Sequence, residues 1–153
     1  MRYALRFGNA YLIPRNGAVQ LDPSAFLADP DLVAALAERS TAIRCDTDRV
    51  LFQQGEAATG VFVVRQGAVT LTMNAITDEP VLCFEASSGY LLGLPGIIGN
   101  QPYSLTARAH SGAHVLFIPK HDFTALMENN PQLSLKVLQV LAAEVRTARR
   151  ALY

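Results

Sequence analysis

The residues able to do chemistry are few and far apart. His110 and His114 flank the turn Ser111-Gly112-Ala113, and His121 stands directly before Asp122. A cupin-type metal centre takes two histidines one residue apart, a nearby glutamate and a distant third histidine, and this spacing does not provide it. The histidines therefore read as exposed turn or cap residues, and no metal is expected. Asp46 and Asp48 flank Thr47 in CDTDRV, which reads as a solvated turn between strands. Glu56 follows Gly55 as an exposed turn acid. Cys45 and Cys83 sit in apolar, strand-like runs and read as buried, reduced thiols of a cytosolic protein; two thiols alone do not hold an iron–sulfur cluster. GxSxG, P-loop and GxGxxG patterns do not occur, and the sequence offers no nucleophile–base pair. The expectation is a non-enzyme without a cofactor.

The segment that stands out is instead apolar. LLGLPGIIGNQPYSLTARA (91–109) holds three glycines and two prolines, with Arg108 as its single charge.

The elements around it fall into three zones. In residues 1–22, YLIP and AVQL read as short strands about Asn16-Gly17. Residues 23–40 read as helix with a break near Pro30, where Asp29 caps the second part and Leu32, Ala35 and Leu36 form an apolar face. Residues 42–120 read as β: AIRC, RVLFQQ, GVFVVRQ, AVTLTM, VLCFEA, YLL, SLTARA and HVLFIP. In AVTLTM, Val69, Leu71 and Met73 alternate with Thr70 and Thr72, as a sheet with one buried face requires. About eight short strands separated by turns, without helix-length spacers, predict a sandwich, barrel or jelly roll. Asp122 is expected to cap DFTALMEN, and Asn130-Pro131 to start a longer helix to residue 152.

In that last helix Leu138, Leu141, Val145, Ala148 and Leu152 step by three and four, the seam of a coiled coil. Gln139, Glu144, Arg146, Arg149 and Arg150 form the opposite, polar face. A homodimer through this seam is expected, with Leu141 at its centre.

The totals exclude several classes. At 153 residues, half of them hydrophobic, the chain is one domain with a real core. Thirteen basic and thirteen acidic residues cancel, so no global field draws nucleic acid or an anionic membrane. The N-terminus lacks the pattern of a signal peptide, and no run is long enough for a membrane span. A cytoplasmic protein that does not itself bind DNA or membranes is expected.

The order of elements resembles the cyclic-nucleotide-binding domain of the Crp/Fnr regulator superfamily. LFQQGEAATGVFVVRQGAVTL (51–71) is similar to the family's strand–glycine–strand block, with Gly55 and Gly67 at its turn glycines. SGYLLGLPGIIGNQPYSLTARA (88–109) falls where the family carries its phosphate-binding cassette, and HVLFIPKHDFTALMENNPQL (114–133) where a strand and short helix follow. The resemblance covers residues 30–152. It implies an antiparallel β-roll flanked by helices, with a long C-terminal helix that pairs with its twin. It also divides the chain into an N-terminal extension (1–22) and the β-roll domain (23–153) with its terminal helix (131–152), and no DNA-binding domain is expected within these residues.

The same resemblance locates the ligand residues. The family cassette has glycine then glutamate for the ribose, a short helix, then arginine and serine for the cyclic phosphate. Gly93 matches the glycine, Leu94 replaces the glutamate, and Pro95 to Ile98, including Gly96, form the helix. Tyr103 replaces the arginine, and Ser104 matches the serine. Losing both charged anchors costs a factor of about 10²–10⁴ in affinity. Arg108 lies five residues after Tyr103, so strand parity turns it to the other face. The resemblance thus implies a sensor or regulatory domain that does not bind cyclic AMP or cyclic GMP in the usual way. Three readings of the cassette stay open: a pocket for an uncharged or aromatic ligand with Tyr103 and Ser104 as polar handles, a filled and ligand-free cassette in a dimeric interaction module with Leu94, Ile97 and Ile98 as core, or a regulator's sensor fragment that holds a cyclic nucleotide differently.

Overall fold

The computed structural model describes residues 5–7, 10–12, 27–77 and 80–152. Eight strands follow the eight predicted runs: β3 (Thr41–Arg44), β4 (Arg49–Phe52), β5 (Gly60–Gln66), β6 (Val69–Asn74), β7 (Pro80–Ala86), β8 (Leu91–Leu92), β9 (Thr106–Ala109) and β10 (His114–Pro119). They are preceded by β1 (Leu5–Phe7) and β2 (Ala10–Leu12). All pairings are antiparallel, in two sheets of order β1-β2-β7-β6-β9-β4 and β3-β10-β5-β8. The sheets form an antiparallel β-roll and are not closed into a barrel.

The N-terminal reading changes. Tyr11 and Leu12 are strand, but β2 pairs with β1 on one side and with β7 on the other, so residues 5–7 and 10–12 extend the larger sheet. The expected partner AVQL lies outside the described residues, as do residues 23–26 of the predicted helix. Leu27, also expected as helix, forms a β-bridge to Tyr90 instead.

β5 sits between two cores, and its run GVFVV supplies both. Phe62 and Val64 face the interior of the roll, with Phe52, Val69, Leu71, Phe84 and Val115. Val61 and Val63 face the helices. A strand covered on both faces loses the polar alternation of a half-exposed one. The helix layer consists of α1 (Pro30–Ala37), α3 (Lys120–Asn129) and α4 (Pro131–Leu152), which bury Leu32, Leu36, Phe123, Leu126, Val137 and Val140. α1 begins as predicted: the Asp29 carboxylate accepts the Asp31 N–H at 2.8 Å, with Pro30 next. α3 starts earlier than expected, after Pro119, so Asp122 lies in its first turn rather than at its cap.

α4 packs on its own domain mainly through residues beside the predicted seam. Its buried residues are Val137 and Val140, with Leu133 and Leu141 partly buried beside them. Leu138 and Val145 are exposed, as is Leu135. The side chains of Ala148 and Leu152 lie outside the described residues. Glu144, expected on the polar face, falls one turn beyond Val140 on the buried side, where burial pushes its carboxyl up to about 8.

The roll's turns are braced by polar residues of the CDTDRV and His110–Ser111 turns. Asp48 accepts the Ser111 N–H at 2.9 Å, and the Ser111 hydroxyl donates to the Asp46 carbonyl at 2.8 Å. The His110 ring contacts the Thr70 hydroxyl at 2.5 Å. Cys45 is buried in the roll interior, and burial, with Glu85 adding to it, pushes the partly covered Cys83 thiol up.

One ion pair straps α4 to the start of α1: Lys136 Nζ lies 2.8 Å from Asp29 Oδ1 and 3.6 Å from Asp31 Oδ2. The Lys136 ammonium, together with the Asp31 N–H, holds the Asp29 carboxyl below its ordinary range. A depressed carboxyl stabilises the fold above its unfolded value and loses that contribution as pH falls. Lys136→Met is therefore expected to lower the urea midpoint at neutral pH, with the gap to wild type closing below about pH 4. A gap that widens on acidification contradicts the strap.

Candidate ligand site

Directly after β8, Gly93 caps α2 (Leu94–Gly99) with a φ of 92°. This left-handed conformation is strained for residues with a Cβ. A Cβ at Gly93 would also lie 3.1 Å from Tyr103 Cε1 and 3.2 Å from the Gly60 carbonyl oxygen. The helix closes at Asn100, also left-handed, whose N–H returns to the Gly96 carbonyl. Gly96 is packed as well: a Cβ there would meet Ala58 Cβ at 2.9 Å.

Leu94 and Tyr103, the two replacements, go to different places. Leu94 is fully buried in the helix-side core with Val61, Val63 and Ile118. Tyr103 enters the roll interior. Its ring stacks on Phe52 with centroids 4.1 Å apart, and Phe52 packs on Phe62 at 5.3 Å. Its hydroxyl donates to the Gly60 carbonyl at 2.7 Å and accepts the N–H groups of Thr59 and Gly60, each at 3.1 Å. A phenol has one proton and two acceptor positions, so this set uses all of them. The backbone of Tyr103 binds the same β4–β5 loop: its N–H donates to the Glu56 carbonyl at 2.9 Å, and its carbonyl accepts the Gly55 N–H at 2.8 Å.

The other candidates lie outside this arrangement. Ser104 is exposed beside Tyr103. Arg108 is exposed on the outer face of the larger sheet, while its neighbours Ala107 and Ala109 fill the interior. Ile97 is buried but Ile98 is 45% exposed, so only the first belongs to the core. No group of three or more His, Cys, Asp or Glu residues suited to a metal ion occurs among the described residues. Sequence reading missed Thr59 and Phe52 as partners of Tyr103. The close approach of Gly60 to β10, where a Cβ would fall 2.3 Å from the Ile118 carbonyl oxygen, needs the fold to be seen.

A two-sheet antiparallel roll, a short glycine-capped helix between β8 and β9, and a long helix after α3 together define a β-roll domain with flanking helices. The chain belongs to the cyclic nucleotide-binding domain family, whose model matches residues 42–130. Two of its relatives are named as a transcriptional activator and a transcriptional regulator. It is 32% identical over 97 residues to the transcriptional activator protein Anr of Pseudomonas aeruginosa, covering 63% of this chain and 39% of that protein. It is 28% identical over 119 residues to the HTH-type transcriptional regulator Cmr of Mycobacterium tuberculosis, covering 78% and 48%. The chain thus spans less than half the length of these two relatives. Among solved structures, the Thermus thermophilus catabolite activator protein superposes with a TM-score of 0.70 at 20% identity, over 84% of this chain and 60% of that one. The sensor domain of the transcriptional regulator DNR from Pseudomonas aeruginosa gives 0.61 at 18%, over 76% and 79%. At such identities these two show the fold.

The burial of Leu94 has a measurable consequence. A carboxylate there would be taken out of water without a partner, so Leu94→Glu is expected to cost several kcal/mol, against less than about 1.5 kcal/mol for Leu94→Met. Equal denaturant midpoints for the two variants would show that the position is open to solvent.

Proposed function

We propose that the chain is a non-catalytic regulatory domain of Crp/Fnr type whose cassette is filled by its own side chains and does not take cyclic AMP or cyclic GMP through the usual anchors. The observation that carries this reading is the Tyr103 hydroxyl, bonded to the Thr59 and Gly60 backbone where the family resemblance puts an anion-binding arginine. The exposed, outward position of Arg108 supports it, as does the closed packing of Leu94. Of the three readings of the apolar segment, the filled cassette fits best, because Tyr103 is engaged within the protein rather than held out as a handle for a ligand.

The domain acts in the cytoplasm as the regulatory part of a transcription regulator, consistent with the relatives, and as a homodimer. Leu135, Leu138 and Val145 form an exposed apolar stripe on α4. Pairing two such stripes removes from water residues that the domain's own core leaves uncovered. Leu141 is a poorer probe of this contact than the sequence suggested, since it packs partly against its own domain.

Thermal denaturation with cyclic AMP or cyclic GMP tests the first part. A ligand at 100 times its Kd stabilises by about 2.7 kcal/mol. No shift is expected from either nucleotide, and a saturable rise in Tm contradicts the reading. Light scattering tests the second part. The wild type is expected at dimer mass and Leu138→Asp/Val145→Asp at monomer mass with unchanged circular dichroism. A monomeric wild type, or a double variant still at dimer mass, overturns the α4 contact.

A further inference from the structure

We infer that Tyr103 is a tethered occupant of its own cassette: a covalently attached phenol that joins α2, the β4–β5 loop and the start of α3 in one arrangement without an effector. This rests on the filled-cassette reading and adds to it what the filling does.

The chemistry of the pocket is that of a phenol site. Two N–H donors and one carbonyl acceptor from the Thr59–Gly60 dipeptide converge on a single oxygen. An aromatic face, Phe52, stacks on the ring with an interplanar angle of 23°. The missing side chain of Gly93 leaves room for the ring edge. A cyclic phosphate carries no proton to donate at neutral pH, so it would meet the Gly60 carbonyl as two acceptors facing each other.

The contact reaches beyond the pocket. The Thr59 carbonyl accepts the Lys120 N–H at 2.9 Å, so the dipeptide that holds the phenol also holds the first residue of α3. The Lys120 ammonium in turn donates to Asn100 Oδ1 at 2.9 Å, at the C-terminal cap of α2. Tyr103, Thr59, Lys120 and Asn100 therefore link the two ends of the cassette through the β4–β5 loop and α3. The hydroxyl is the one part of this link that a single-atom change removes without altering the packing of the ring.

Amide hydrogen exchange on the full chain tests the inference. In Tyr103→Phe, the Thr59 and Gly60 amides are expected to exchange about tenfold faster than in wild type, since each loses its acceptor. In Tyr103→Ala, added phenol is expected to restore their protection saturably. Added benzene, which fits the ring space but lacks the hydroxyl, is expected to leave both amides fast. Unchanged protection in Tyr103→Phe overturns the proposal, as does equal protection by phenol and benzene. If Tyr103→Ala does not fold, Tyr103→Phe decides alone. These outcomes are separate from the parent reading, which falls only if the wild type binds a cyclic nucleotide.

Discussion

The hydrogen bonds between the Tyr103 hydroxyl and the Thr59–Gly60 backbone are the contact on which the cassette depends. They sit at the first residue of β5, the strand shared by both cores, so whatever holds this point fixes the loop before it and the helix layer behind it. A buried N–H left without an acceptor costs about 1–3 kcal/mol, and here two N–H groups share one oxygen. Their satisfaction depends on a single side chain that arrives from 44 and 43 residues further along the chain.

Close approach around this contact is made possible by small residues. Gly60 lets β5 run against β10, Gly93 admits the Tyr103 ring edge, and Gly96 lets α2 settle on Ala58. The apolar character of residues 91–109 follows from this packing. Leu91, Leu92, Leu94 and Ile97 are buried because α2 lies against the roll as part of its structure. The segment is apolar because it is interior, divided between two cores, and the polar atoms it does bring inside are hydrogen-bonded.

Much of this was legible in the sequence. The eight strands from β3 to β10 could be read because turn glycines and alternating patterns such as Val69, Leu71 and Met73 mark them locally. The ordered motifs from residue 51 to 133 were specific enough to suggest the family. What escaped were long-range matters. Which residues of α4 its own domain buries could not be read, because that depends on where α1 and α3 lie. The pairing of β1 with β2 competed with a stronger turn signal at Asn16-Gly17. The different destinations of Leu94 and Tyr103 were hidden because a short helix with a left-handed start separates them, and strand parity does not carry across it. The partners Phe52 and Thr59 carry no motif of their own.

The central claim is that Tyr103 fills the position an anionic ligand would need. A titration of the wild-type protein with cyclic AMP, followed by the backbone amide resonances of Thr59 and Gly60, tests it most directly. The account predicts that both resonances stay in place at every ratio of nucleotide to protein. Saturable movement of both, with the Tyr103 ring signals shifting in step, would show the phenol leaving its site for the nucleotide and would contradict it.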